Sequence, residues 1–174
     1  MRLRAAAVLL TTGLLAGCAQ PAAAPPPATT AGPAFNGTDL AWIEVDIAME
    51  EQILPLLTLV PTRGGDPAAA ALAARVKTVT ETELGTLRAL HDEAGLPAQN
   101  QHEGMPMPGM VTPQDLAQTD TLAGAAFDKV ADAKIHEYLE QGLELAHSEA
   151  QAGAEPRTLA LASSITDNRR RLLA

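Results

Sequence analysis

A short segment near the middle of the chain carries side chains that could bind a soft metal ion. His102, Met105, Met107 and Met110 place one imidazole and three thioethers within nine residues. Thioethers suit Cu(I), and the intervening glycines and prolines would keep the segment out of a helix and let it fold around an ion. Copper binding is therefore one interpretation. The other is a rigid crossover whose methionines fill gaps against neighbouring helices.

Acidic side chains on the predicted helices are a second group that could bind metal. A ferritin-like dimetal site needs carboxylates from facing helices and a Glu-x-x-His repeat on two of them. Glu144 and His147 form such a repeat, but no other helix carries a matching one. We therefore predict solvated acidic helix faces. The acidic residues considered are Glu44, Glu50, Glu51, Glu81, Glu83, Glu137 and Glu140.

Motifs typical of catalysis are missing from the sequence. It contains no Gly-rich phosphate loop and no zinc signature, and Ser163 and Ser164 have no general base at a suitable spacing. The basic run 168–171 is interpreted as the end of a helix, where positive charge meets the helix dipole. We therefore expect a protein that is not an enzyme. The isolated histidines His91, His136 and His147 are expected at the surface or its boundary, and Trp42 and Tyr138 in packing.

The N-terminus is typical of a bacterial lipoprotein. Two arginines precede an apolar stretch at residues 5–15, which is long enough for a signal peptide and too short to span a bilayer. The stretch ends in Leu-Ala-Gly-Cys, the sequence that the lipoprotein signal peptidase cuts before the cysteine. Cys18 is the only cysteine, so its use as the lipid anchor would leave no thiol for a disulfide or a metal. We predict lipid anchoring on the extracytoplasmic face of a membrane.

Composition divides the chain into three parts and bears on its partners. Residues 1–17 are the predicted signal peptide, residues 18–35 the lipidated cysteine with a Pro/Ala-rich tether, and residues 36–174 one folded domain. Removal of the signal peptide leaves 10 basic and 21 acidic residues, a net charge near −11. This acidity argues against nucleic acid as a partner. An envelope protein remains as a partner, and the sequence does not indicate an oligomeric state.

The folded domain is predicted to be all-α, because good helix formers dominate and aromatic residues are rare. Pro55 should kink the first helix or end it early, and Thr38 or Asp39 should be its N-cap. The apolar spacing in the longer helices is typical of a bundle with a shared core. The predicted helices span residues 38–59, 66–94, 124–152 and 155–173, with a short helix starting at Thr112.

The two halves of the domain are related in sequence. Residues 39–85 align without a gap to residues 128–174, with 11 identities in 47 pairs. The matched Glu-Gln, Gly and acid-Pro positions are more informative than the matched alanines and leucines. We therefore predict that the domain arose by duplication of a helical hairpin. A connection of about 30 residues between the halves can cross the bundle from one end to the other, as in ferritin-like folds.

The segment 102–110 and the following Gly-x-x-Phe-Asp at residues 124–128 resemble the family called domain of unknown function 305. The resemblance covers residues 36–174 and implies a ferritin-like four-helix bundle made of two duplicated hairpins, often secreted or lipid-anchored. Members usually carry a His-His pair on the first helix of each half. This chain has Met49-Glu50 and Tyr138-Leu139 at those positions. A metal site formed by the pairs would be largely lost here, although Met49 and Glu50 remain secondary candidate ligands.

Three classes of function follow from these features. The first is a non-catalytic envelope lipoprotein whose helical bundle binds a partner or small ligand. The second is a lipoprotein that captures copper through His102 and the methionines of its connector. The third is a dimetal enzyme, against which the missing His-His pairs argue. The sequence favours the first and keeps the second as the alternative, with copper as the only cofactor considered.

Overall fold

Five helices make up the part of the chain that the computed structural model describes, residues 34–174. They are α1 (Gly37–Arg63), α2 (Pro67–Ala94), α3 (Pro113–Asp120), α4 (Gly124–Ala152) and α5 (Pro156–Leu173). No strand occurs in residues 34–174, and the predicted all-α class is confirmed. In the same range, no helix combines the length and the apolar character needed to cross a membrane. The signal peptide and Cys18 lie outside the described residues.

The N-cap of α1 is Asn36 and not one of the two residues predicted. The Asn36 side chain accepts hydrogen bonds from the backbone N–H groups of Thr38 and Asp39, at 2.7 and 2.9 Å. The Asp39 carboxylate in turn accepts from the Asn36 N–H at 2.5 Å, which completes a capping box. The prediction was wrong because Asn, Thr and Asp are all good N-caps, so residue type alone does not select among them.

α1 continues through both of its prolines, so the helix does not end early at Pro55 as one form of the prediction had it. The helix runs to Arg63 and contains Pro55 and Pro61. A proline removes one intrahelical hydrogen bond. The neighbouring Leu56, Leu57 and Val60 are almost completely buried. We infer that their packing offsets the lost hydrogen bonds.

The other helix boundaries follow the sequence signals closely. Asp66 caps α2 and Thr112 caps α3, each followed by a proline at the start of the helix. Glu155 caps α5 in the same way. Gly95 ends α2 in the left-handed conformation, with φ of 67°. Those predictions are confirmed.

The four long helices pack as two hairpins. α1 contacts α2 most extensively and α4 contacts α5, while the α1–α4 and α2–α5 contacts join the hairpins. α3 packs against α1 and α4. One part of the core is built around Met49, Ile53, Phe127 and Tyr138, and another around Trp42, Ile43, Leu87 and Ile165. All four long helices contribute residues to both parts of the core.

The duplicated hairpins hold each other through reciprocal hydrogen bonds. Asp39 on α1 accepts from the N–H groups of Ala154 and Glu155 in the α4–α5 turn, at 2.9 and 3.1 Å. Asp128, its counterpart on α4, accepts from the N–H groups of Gly65 and Asp66 in the α1–α2 turn, at 2.9 and 3.1 Å. Every partner in one set is 89 residues from its counterpart in the other. The geometry thus repeats the alignment of the two halves.

Candidate functional site: a buried ion-pair network

A fully buried arginine lies among groups from all four long helices. The guanidinium of Arg169 on α5 is 2.8 Å from a Glu83 carboxylate oxygen and 3.3 Å from one of Glu50. It donates a hydrogen bond of 2.8 Å to the Tyr138 hydroxyl and lies 4.8 Å from the centre of that ring. Arg169, Glu50 and Tyr138 are 0% exposed. We call Arg169 and its neighbours Asp46, Glu50, Glu83 and Tyr138 the central network.

Two further hydrogen bonds fix the outer members of the central network. The Tyr138 hydroxyl is 2.9 Å from the hydroxyl of Thr80 on α2. The Asn168 side-chain amide donates to the second carboxylate oxygen of Glu83 at 2.7 Å. These bonds hold the phenol and the Glu83 carboxylate in position to receive the guanidinium.

The central network contains more carboxyl groups than cations. Asp46 lies one turn before Glu50, is 1% exposed, and has no hydrogen-bond partner for either oxygen. Burial, followed by the nearby Glu83 and Glu149 charges, raises its pKa to about 7 even though Arg169 lowers it. Burial and then Asp46 raise the pKa of Glu50 well above its ordinary value. The site therefore retains protons near neutral pH, because one guanidinium cannot compensate three buried carboxylates.

Gly142 on α4 provides the space for Arg169. A Cβ atom at this position would lie 2.9 Å from the Arg169 Nε and 3.6 Å from its Cδ. No Cβ contact is closer than about 3.0 Å in ordinary packing, so any larger residue must displace the guanidinium. In the duplicated half, the same alignment position is the large residue Ile53. The glycine therefore belongs to the site even though it carries no functional group.

The central network corrects two predictions. Glu50 and Glu83 were expected on solvated helix faces, but both are buried, because each shares its helix face with core residues and is paired with Arg169. The sequence predicts a basic helix end at residues 168–171, but Arg169 points into the bundle while Arg170 and Arg171 are exposed. The helical spacing could have indicated that Arg169 is buried, because Ile165, Arg169 and Leu172 fall on one face of α5.

The connector between α2 and α3 is pressed against the bundle at Gly109. This glycine has φ of 76°, and a Cβ there would lie 2.6 Å from the Gln141 Cβ and 3.2 Å from the Met49 sulfur. Met110 follows it into the core at 3% exposure, and its sulfur is 3.3 Å from the Gln52 side-chain amide. Met107 packs partly against the same core. These positions favour the packing role of the methionines.

The remaining candidate ligands of the connector lie nearer the surface. Met105 is 42% exposed, and His102 is half-buried with no hydrogen-bond partner at Nδ1. Met49 is completely buried, and Glu50 belongs to the central network. Within residues 34–174, no three or more histidine, cysteine or acidic side chains are grouped so that they could hold a metal ion. Methionine side chains are not among those residue types, so copper binding through the connector methionines stays a prediction.

The chemistry of the central network is that of a buried ion pair and not of a site open to a substrate. Its groups are 0–3% exposed, so a substrate has no route to them in this conformation. The positive charge at its centre is covalently part of the chain and cannot dissociate. Such networks act on stability and specificity of packing, and they bind or release protons.

Comparison with known proteins identifies relatives of the whole domain. The sequence model of the family "Domain of unknown function (DUF305)" matches residues 39–173. The crystal structure of the "putative secreted protein DUF305" from Streptomyces coelicolor superposes with a TM-score of 0.67 at 19% identity, covering 77% of this chain and 86% of that one. A DUF305 fragment from Deinococcus radiodurans gives a TM-score of 0.69 at 16% identity, covering 81% and 93%. No curated protein matches this chain.

At these identities the two crystal structures establish a shared fold, and the family match extends over nearly all of the described residues. The resemblance first noted in the connector and in the Gly-x-x-Phe-Asp segment is confirmed. This chain belongs to the DUF305 family.

Proposed function

We propose that this protein is a non-catalytic binding domain of the bacterial cell envelope, tethered to the extracytoplasmic face of a membrane by a lipid on Cys18. The observation that carries the non-catalytic part is the Arg169 guanidinium at the centre of the bundle. A ferritin-like dimetal centre would use carboxylates in this region. Here Glu50 and Glu83 are already paired with a cation that belongs to the protein. In this proposal the interior has a structural role, and the outer surface of the bundle binds the partner or small ligand.

The proposed localisation to the cell envelope is supported by the N-terminal sequence. The Leu-Ala-Gly-Cys sequence ends an apolar stretch of signal-peptide length, and a Pro/Ala-rich segment separates Cys18 from α1. The name of the Streptomyces coelicolor relative also describes that protein as secreted. An acidic surface is consistent with a soluble domain held near, and not adsorbed to, anionic lipid heads.

Fractionation of cells that express the full-length protein tests the anchor. We expect the wild-type protein in the membrane fraction and labelled by a fatty-acid probe. The Cys18→Ser variant should lose the label and leave the membrane fraction, since one thiol accepts the lipid. A Cys18→Ser protein that stays in the membrane with the same yield would contradict lipid anchoring at this residue.

Metal analysis tests the scaffold role of the interior. The protein is purified from cells grown with added iron, manganese, zinc and copper, and its metal content is measured by mass spectrometry. We expect no stoichiometric metal that depends on the central carboxylates, because Arg169 already pairs with Glu50 and Glu83. A stoichiometric metal that is lost in the Glu50→Gln/Glu83→Gln variant would overturn the proposal.

Copper capture by the connector is the second proposed function. It is favoured by one specific observation, the exposed thioether of Met105 close in sequence to His102, whose Nδ1 is unpartnered. Binding would require Met110, which is buried, to leave the core. We therefore expect capture only with a local opening of the connector.

A Cu(I) competition titration against a chromophoric chelator decides this alternative. The triple variant Met105→Leu/Met107→Leu/Met110→Leu removes the thioethers of the connector while keeping apolar side chains of similar size. His136→Gln is the control, because His136 is a half-exposed histidine outside the connector. A one-to-one complex that the triple variant loses and the control keeps would support copper capture. Absence of binding to the wild-type protein would exclude it.

A further inference from the structure

The first turn of α1 contains a carboxylate with an unusually complete set of donors. Asp39 accepts hydrogen bonds from the N–H groups of Asn36, Ala154 and Glu155 and from the Thr158 hydroxyl, at 2.5, 2.9, 3.1 and 2.9 Å. Burial opposes the charge, but the three N–H donors lower the Asp39 pKa to about 2. Asp39 is therefore ionised, and it joins α1 to the α4–α5 turn. We call these contacts the Asp39 clamp.

A second carboxyl group, Glu149 on α4, is buried beside the Asp39 clamp without any donor of its own. It is 0% exposed, and neither of its oxygens accepts a hydrogen bond. The Thr158 hydroxyl next to it donates to Asp39. Gly153 lies directly over the carboxyl group, where any side chain would collide with it. Burial raises the Glu149 pKa to about 7, with further contributions from Asp39 and Glu155, although the nearby Thr158 hydroxyl lowers it.

The two carboxyl groups are complementary only if Glu149 carries a proton. Two ionised carboxylates repel each other in a buried site, whereas a protonated carboxyl can donate to an ionised one. Asp39 has four donors and Glu149 has none, so the proton belongs on Glu149. The environments thus separate the two groups into an acceptor and an acid.

No cation is available to compensate Glu149 if it ionises. Facing it are the carboxyl groups of Asp39 and Asp46 from α1 and of Glu155 from the start of α5. The Arg157 guanidinium is bound by Glu155 at 2.7 Å and by Glu93 of α2 at 2.5 Å. Within residues 34–174, Glu149 takes part in no ion pair. Its ionisation would therefore place an uncompensated charge in the interior.

The duplicated half shows that the clamp itself does not need this glutamate. Asp128 holds the α1–α2 turn through Gly65 and Asp66 in the same way. The residue there that corresponds to Glu149 is Val60, which is 1% exposed. An apolar side chain thus fills the equivalent place in a clamp that binds the corresponding pair of N–H groups. The proton-binding group is an addition to one end of the bundle only.

We propose that Glu149 and Asp39 form a proton-operated switch at the end of the bundle where α1 begins. With its proton, Glu149 donates to Asp39 and the Asp39 clamp stays closed. When the proton leaves to water, the two carboxylates repel, and the first turn of α1 separates from the α4–α5 turn. Trp42 lies in the next turn of α1, and together with Glu149 it lines the groove between α1 and α4. Rising pH therefore opens this groove at the N-terminal end of α1.

Hydrogen exchange of the full-length protein between about pH 5 and pH 9 tests the switch, with the second clamp as an internal control. The readout is the protection of the Ala154 and Glu155 amides, corrected for the intrinsic dependence of exchange on pH. We expect this protection to fall above about pH 7, by up to tenfold per pH unit. The Gly65 and Asp66 amides, bound to Asp128, should keep theirs. Emission from Trp42, the only tryptophan, should shift to the red over the same range.

Substitutions separate the switch from other titrating groups. Glu149→Gln keeps a donor toward Asp39 and should stay closed across the range, and Glu149→Val, which copies the duplicated half, should do the same. Glu144→Gln removes an exposed carboxyl group from the same helix and should behave as the wild type. The proposal is overturned if the wild-type protection is constant, if both clamps lose protection together, or if Glu149→Gln opens at the wild-type pH. Circular dichroism at about pH 5 confirms that each variant is folded.

Discussion

At the level of single residues, the most consequential feature is the buried guanidinium of Arg169. Its guanidinium is the only buried cation in residues 34–174, and it lies within 3.3 Å of carboxylate oxygens from two helices. A charge buried in this way stabilises the fold only while its partners are present. The same residue explains why Glu50, Glu83 and Gly142 occupy their positions.

Replacing Arg169 by methionine should destabilise the protein by about 3–5 kcal/mol, because Glu50 and Glu83 would remain buried without a cation. Chemical denaturation at neutral pH measures the change in the free energy of unfolding. The matched control is Arg170→Met, an exposed arginine on the same helix, for which we expect a change within about 0.5 kcal/mol. Equal stability of the two variants would show that the network contributes nothing.

Two helical glycines, one tightly packed and one in open space, test whether α4 packs closely against Arg169 of α5. A methyl group at Gly142 would meet the Arg169 Nε at 2.9 Å, whereas one at Gly85 on α2 would meet nothing within 4 Å. Gly85→Ala should stabilise the protein by about 0.5–1 kcal/mol through helix propensity. Gly142→Ala should destabilise it by about 1–3 kcal/mol, because overpacking displaces the guanidinium.

Thermal unfolding of the two alanine variants provides the comparison. Because both changes are glycine to alanine within a helix, the difference between them isolates the effect of the Arg169 contact from the effect of propensity. An increase in melting temperature for Gly142→Ala as large as for Gly85→Ala would contradict the close packing described here.

The reciprocal clamps are the second feature that belongs to the helical elements. Asp128→Ala should cost about 1–2 kcal/mol, since the Gly65 and Asp66 N–H groups lose their shared acceptor. Asp132→Ala, one turn further along α4 and exposed, should change stability by less than about 0.5 kcal/mol. Urea unfolding of the two variants checks this, and a loss for Asp132→Ala equal to that for Asp128→Ala would contradict a specific clamp.

For the whole molecule, the buried carboxyl groups predict a stability maximum under mildly acidic conditions. Asp39 has a lowered pKa of about 2, so its stabilising effect is present above its ordinary pKa and is lost as the pH falls toward 2. Asp46 and Glu149 have pKa values raised to about 7, so stability declines from their ordinary pKa values up to pH 7. The maximum should therefore lie near about pH 4.

Calorimetry across this range measures the effect. Between about pH 4 and pH 7, each raised carboxyl group should lower the free energy of unfolding by up to about 1.4 kcal/mol per pH unit. Asp46→Asn removes one of these groups and should flatten the decline without moving the acid limb, which depends on Asp39. A wild-type maximum above pH 8 would contradict the assignment of protonated carboxyl groups to the interior.

Much of the architecture was readable from the sequence, because its signals are local. The proline and glycine positions predicted both limits of α2 and the starts of α3 and α5, and composition predicted an all-α domain. The offset of 89 residues predicted two related hairpins, and the connector predicted the family. These features depend on residues that are near in sequence or on a repeated pattern, and neither requires knowledge of how the helices pack.

The interior was decided by the tertiary structure. Whether Arg169 ends a helix in solvent or enters the core depends on Glu50 and Glu83, which are more than 80 residues away along the chain. Whether Pro55 breaks α1 depends on the packing of the leucines around it. Whether Glu149 keeps a proton depends on Asp39, which is 110 residues away. The sequence determined which helices form, and only packing brought charges from distant helices into one desolvated space, where their ionisation is set by their neighbours.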